Sequence, residues 1–245
     1  MNLPTNIFQK NSHTSTYTFS KNNMSKIMDT SFLHGTGVAL ITPFKENEDI
    51  DYKALSNIIN HVINGGINYV VTLGTTGETP TLSRFEKMEI IRFTYDCVND
   101  RVPVIVGIGG NNTSEVLQDL AEFPLDHAMA ILSAVPYYNK PSQDGLFQHY
   151  KKIASHAPKP IVLYNVPGRT GRNLYAETTL KLAHEVKNIA GIKEASGDFS
   201  QCMQILRDKP DYFSVVSGDD ALVLPQIACG MQGVISVAAN MFPND

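Results

Sequence analysis

The sequence predicts a (β/α)8 barrel, an α/β fold of eight parallel strands with helices between them. Three observations predict it. From Gly35 onward one unit recurs: a short β-branched run, a turn, then an amphipathic helix. The strand runs are almost continuously apolar, as strands buried on both faces must be. Successive runs also lie roughly 20–35 residues apart, the spacing of one strand plus one helix. The rival, an open doubly wound sheet, usually shows a Gly-rich phosphate loop after its first strand. Here that strand runs into ITPFKENEDID, with no GxGxxG.

The strand candidates, in order, are GVALITP (37–43), YVVTLG (69–74), PVIVGIG (103–109), MAILSAVP (129–136), IVLYNVP (161–167), IAGIKEA (189–195), FSVVSG (213–218) and GVISVAA (233–239). Between the first two, Leu55, Ile58, Ile59, Val62 and Ile63 share one helical face, and Gly65-Gly66 stops the helix. Ser83 and Glu86 form a capping box ahead of a stripe of Met88, Ile91, Tyr95 and Val98. Val116, Leu117, Leu120 and Ala121 supply the next helix. Ser142 caps one that buries Leu146, Phe147, Tyr150 and Ile153. The sequence ends at MFPND, just after the eighth strand, so an eighth helix is expected to be missing and the barrel (34–245) to be cut short. Residues 1–33 differ in character. They are rich in Asn, Ser, Thr and Lys, and they lack both the apolar core of a secretory signal and the arginines of a transit peptide. A disordered tail is expected there, with Met24 or Met28 as alternative starts, and a cytoplasmic location.

Composition narrows the function. The chain has 245 residues, 42% of them hydrophobic, ample for a sizeable core, and its net charge of −4 argues against nucleic acid as a partner. No apolar run is long enough to span a bilayer. Its three cysteines form no CxxC and its seven histidines no HExxH, so no metal or disulfide framework is expected.

In such barrels the chemistry sits at the C-terminal ends of the strands. That rule gathers GTTGETPT, PYYNKPS, YNVPGRTG, Lys193 and SGDD around one pocket. Lys193 stands inside an apolar strand, sharing a face with the small Gly191 and Ala195 while Ile192 and Glu194 point away. A desolvated ammonium has a depressed pKa, which frees the amine for Schiff-base formation. A lysine paired to a core carboxylate, or snorkelling at a strand end, reads the same way. Thr75 and Thr76, between glycines, suit a carboxylate cradle or an ordinary Gly-rich loop. Tyr164, within a strand, needs a partner or a proton-relay task. Arg169, fixed by Pro167 and Gly168, reads as a carboxylate clamp or a surface ion pair. Tyr137 and Tyr138 stack at a rim or a subunit contact. Taken together, an imine-forming lysine, a carboxylate cradle, a tyrosine relay and a second clamp imply a 2-oxo acid donor and an acidic aldehyde.

The segments GTTGE, PYYNKPSQDGL, LYNVPGRTG, GIKEASGD, SGDD and GVISV, in this order, resemble the dihydrodipicolinate (4-hydroxy-tetrahydrodipicolinate) synthase family of pyruvate-dependent class I aldolases. The resemblance runs from about Gly35 to the C-terminus. It implies that Lys193 condenses with pyruvate, that Tyr164 shuttles protons, and that Thr75 links Tyr164 to a neighbouring subunit's tyrosine, matched by Tyr138. It further implies that Thr76 holds the pyruvate carboxylate, that Ile235 and Gly218 line its pocket, and that Arg169 receives L-aspartate 4-semialdehyde. A homodimer or homotetramer, no metal, no organic cofactor and a place in diaminopimelate and lysine synthesis follow from the same resemblance. The family also carries a C-terminal helical domain, which is expected to be missing here. Lysine-inhibited members have histidines where this chain has Arg84 and Lys87, so weak lysine feedback is expected despite Asn111, Glu115 and Tyr137. Two other readings stand beside this one. One is a sibling aldolase, such as an N-acetylneuraminate lyase or a 2-keto-3-deoxy-sugar-acid aldolase, which would gain little from Arg169. The other is a truncated barrel without activity.

Overall fold

A computed structural model describes residues 28–244. Eight parallel strands close into a barrel in sequence order: β1 (Gly35–Ala39), β2 (Tyr69–Thr72), β3 (Val104–Gly107), β4 (Ala130–Ala134), β5 (Ile161–Asn165), β6 (Ile189–Glu194), β7 (Ser214–Ser217) and β8 (Gly233–Ser236). The crossovers are α1 (Tyr52–Asn64), α2 (Arg84–Val98), α3 (Thr113–Glu122), α4 (Gln143–His156), the single-turn α5 (Pro167–Thr170) with α6 (Ala176–Glu185), α7 (Phe199–Asp208) and α8 (Val223–Ala228). Among the described residues only a 3-10 turn, Ala238–Asn240, follows β8. The eight expected strands are all present, but most are shorter than their apolar runs because the last residues of each run already leave the ladder towards the loops. β1 instead begins early, at Gly35, because its partner there is Gly233 of β8. A ladder between two glycines gives no local propensity signal.

The helix signals act as expected. Asp51 caps α1 through the Ala54 amide at 2.9 Å, and Leu55, Ile59 and Val62 are its buried face. The Ser83–Glu86 capping box is formed in both directions. In α2 the buried stripe is Ile90, Ile91, Thr94 and Val98, with Met88 and Tyr95 only half-buried at its edge. Ala121 faces solvent. Ser142 caps α4, which buries Leu146, Phe147, Tyr150 and Ile153.

Strand alternation divides the core in two. Ile59, Ile91, Leu146, Leu182 and Ile205 lie between barrel and helices. Leu33, Tyr69, Ile105, Val162, Val216 and Ile235 fill the barrel itself. Leu33 belongs to the stretch expected to be tail. Residues 1–27 of that stretch lie outside the described residues, but its end is part of the barrel. Ser31–Leu33 is a 3-10 turn, Leu33 is fully buried, and the Thr30 hydroxyl donates to the Tyr212 carbonyl at 2.6 Å and shares a 2.8 Å bond with Ser214. The folded unit therefore starts ahead of residue 34. The Tyr69 hydroxyl also donates to the Leu33 carbonyl, at 3.4 Å, so the segment stoppers the N-terminal mouth. Leu33→Ala is expected to lower the stability to urea unfolding by about 2–5 kcal/mol, the cost of a cavity in a closed core.

Candidate active site

The C-terminal ends of β2 to β5 open onto a cavity of about 330 Å³. Thr75, Tyr164 and Arg169 line it, joined by Tyr137, Lys87 and Leu73. Lys193 is not on that wall but neighbours Tyr164, which is. Parallel register sets Tyr164 of β5 directly beside Lys193 of β6. Both face the barrel interior, and the Lys193 amine sits 4.6 Å from the centre of the Tyr164 ring. Lys193 is only 4% exposed. That burial pulls its pKa down to about 8, with the Arg169 charge adding to the shift and Asp220 opposing it. No carboxylate forms an ion pair with it among the salt bridges of the described residues. The alternative of a lysine spent in a core ion pair therefore finds no support.

Burial also raises the Tyr164 hydroxyl, against the pull of a hydrogen-bonding interaction with Thr75 and of the Arg169 charge. A phenol held protonated beside an amine can pass its proton on and recover it. Gly218, at the end of β7, makes room for the lysine. A Cβ there would sit 2.9 Å from Lys193 Cε and 2.7 Å from Ala195 Cβ. Ile235, fully buried on β8, packs in the same interior layer. Thr76 follows Thr75 in a 3-10 turn, Thr75–Gly77, half-buried beside the cavity rather than on its wall. Tyr138 is not on that wall either. It is 86% exposed at the rim, with φ at +67°.

The loop that carries Thr75 is held under strain. Leu73 has φ at +55°, a costly conformation for a bulky residue. The Thr79 hydroxyl fixes it by donating to the Leu73 carbonyl at 2.7 Å and to that of Gly74 at 3.0 Å. The loop lies directly on Gly107, where any Cβ would come within 2.0 Å of the Leu73 carbonyl oxygen. A non-glycine at that position would displace the turn that presents Thr75.

Sequence reasoning gave Lys87 only a role towards an effector, yet it stands on the cavity wall. Arg84 does not. Its guanidinium is paired 3.0 Å from both Asp119 and Glu122 and lies over the Phe123 ring. Asp220 was visible within SGDD without an assigned task, and its carboxylate accepts from the amides of Val237 and Ala238 while acting on Lys193. A second, larger cavity, about 590 Å³, opens at the opposite end, between Arg92, Asp96, Arg101 and Asp126. Residues at that end of a barrel serve stability rather than chemistry.

A buried amine of lowered pKa beside a phenol suits imine chemistry, and similarity to known proteins shows the family. A profile of the Dihydrodipicolinate synthetase family matches residues 33–245. The chain belongs to this family. It is 51% identical over 213 residues to a 4-hydroxy-tetrahydrodipicolinate synthase of Parabacteroides distasonis, covering 87% of this chain and 72% of that one. The crystal structure of dihydrodipicolinate synthase from Aquifex aeolicus superposes with a TM-score of 0.83 at 42% identity, over 86% of this chain and 72% of the other. The chloride-inhibited dihydrodipicolinate synthase of Acinetobacter baumannii, solved with pyruvate, gives a TM-score of 0.84 at 40% identity, with 86% and 72% covered. The family segments GTTGE and LYNVPGRTG supply residues of the cavity wall, and GIKEASGD carries Lys193 beside Tyr164.

The amine is protonated and unreactive below its pKa and nucleophilic above it. Capture of a 2-oxo acid by Lys193, trapped with borohydride, is therefore expected to quicken as pH rises through about 8 and to level off beyond. Asp220→Asn removes the anion that favours the ammonium, and the midpoint of that curve should move to lower pH.

Proposed function

We propose that the chain is a Schiff-base lyase that condenses pyruvate with L-aspartate 4-semialdehyde to 4-hydroxy-tetrahydrodipicolinate, on the route to diaminopimelate and lysine. The observation that carries this reading is the buried Lys193 amine, lowered to about 8 and set 4.6 Å from the Tyr164 ring. Curated relatives of similar sequence bear the name of that activity. The amine adds to the pyruvate carbonyl carbon and water leaves, giving the imine. Loss of a methyl proton turns the imine into an enamine, whose carbon attacks the aldehyde. The amino group of the bound semialdehyde then displaces Lys193 from the imine carbon and closes the ring. One water is lost overall, and the lysine returns free.

The remaining side chains divide the work. Tyr164 moves protons in imine formation and cyclisation, relayed through Thr75. Thr76 holds the pyruvate carboxylate, with Ile235 and Gly218 forming the wall behind it. Arg169, on the rigid Val166–Gly171 turn, meets the carboxylate of the semialdehyde as a planar fork. Tyr138, exposed in one chain, is available to complete the relay of a neighbouring copy, which favours a homodimer or homotetramer. The setting is the cytoplasm, and no metal or organic cofactor enters the chemistry. Feedback by lysine is weak. Lys87 is the group that repels the effector, since the charge of Arg84 is already taken up by Asp119 and Glu122.

Incubation with pyruvate and borohydride should leave one reduced adduct, mapped by mass spectrometry to Lys193 and absent from Lys193→Ala. A stable, folded protein without that adduct would sink the reading. Arg169→Ala should raise the KM for the semialdehyde about 10-fold or more, as the loss of a charge-assisted bond implies. Pyruvate trapping should hardly change, and equal loss for both substrates would remove Arg169 from the aldehyde site.

A further inference from the structure

The wall behind the active site holds a carboxylate that the proposed chemistry does not use. Glu194 follows Lys193 in β6, points out of the barrel and is completely buried. Every group bonded to it is a donor. Asn165 Nδ2 donates to both its oxygens, at 3.1 and 3.0 Å, Gln201 Nε2 donates at 3.0 Å, and the Ser196 amide at 2.7 Å. Burial pushes the carboxyl pKa up, and those bonds pull against the shift. An acceptor-only group fixes the direction of everything around it. Asn165 and Gln201 must turn their NH2 groups towards it, which leaves the Asn165 oxygen for the Leu174 amide, at 2.9 Å, and the Gln201 oxygen for Asn173 Nδ2, at 2.9 Å. Asn165 Nδ2 also reaches Asn173 Oδ1 at 2.7 Å.

The residues so joined adjoin the reacting groups. Asn165 is next to Tyr164, Glu194 is next to Lys193, and Asn173 and Leu174 end the loop that carries Arg169. We propose that Glu194 is a positioning residue whose buried carboxylate braces β5, β6 and the Arg169 loop, and so sets Tyr164 against Lys193. The inference rests on the imine chemistry proposed above. An amide at position 194 would keep the shape of the carboxylate but set an NH2 against the donors of Asn165, Gln201 or Ser196, and the brace would open.

The test is pyruvate trapping on Glu194→Gln, with three readouts: the rate at saturating pyruvate, the half-saturating concentration and the final adduct per chain. The rate should fall about 10-fold or more, the scale of misplaced reacting groups. Half-saturation should move by less than about 3-fold, because Thr76 lies on the β2 loop outside the network, and the final adduct should stay at one per chain. Gln201→Leu, which takes one of the donors from Glu194 along with the Gln201 bonds to Asn173 and Leu174 but leaves the carboxylate with Asn165 and Ser196, should show a smaller change of the same pattern and stands in if Glu194→Gln does not fold. A folded variant with the original rate overturns the proposal, as does a slower rate that tracks a reduced final adduct, since that reports unfolded chains. If the unaltered protein itself forms no adduct, the imine reading fails and takes this one with it.

Discussion

Removing water from the Lys193 amine costs the hydration of an ammonium ion, and the barrel is arranged so that this cost falls on the charged form alone. Closed parallel strands give the side chain no edge from which to reach solvent. Gly218 leaves it room, and the Tyr164 ring covers it on one side. A carboxylate in direct contact would have restored the charge and ended its use as a nucleophile. Asp220 acts from further off, held by two backbone amides, and moderates the shift without reversing it.

Around that amine the loops are held in conformations they would not choose alone. Leu73, Glu78, Tyr138 and Lys140 all have positive φ in the β2 and β4 loops, each costing about 1–3 kcal/mol. The strain is borne by contacts nearby, such as the Thr79 hydroxyl on the Leu73 carbonyl. The polar network behind β5 and β6 does the same for the Arg169 loop with hydrogen bonds instead of packing. Rigid strands, strained loops and a braced wall are three ways of denying the site a second arrangement.

Much of this could be read from residues in order. The apolar runs located every strand, because burial on both faces leaves a signal that survives errors of two or three residues at the ends. Lys193, Tyr164, Thr75 and Arg169 were legible because each breaks the pattern around it. Glu194 and Asn165 break it as well, but their partners on α7 and in the loop after α5 are contacts that no local rule supplies. Leu33 was missed for another reason: it follows a long polar stretch, and composition averages away a single residue whose burial depends on the opposite side of the barrel. Tyr138 and Thr76 share segments with cavity residues yet stay off its wall, since motif membership does not decide which way a turn points.

Among the described residues, Leu33 and the Tyr69 hydroxyl close the N-terminal mouth of the barrel, opposite the cavity that Tyr137, Tyr164 and Arg169 line. A guest reaching Lys193 through that cavity would pass the arginine and tyrosines that line it. On the proposed chemistry, a ketone bound on the lysine would occupy the deep end, and a second reactant arriving afterwards would stand between it and bulk solvent. Order of arrival would then be a matter of depth, with the first guest seated, and its water gone, before the second enters.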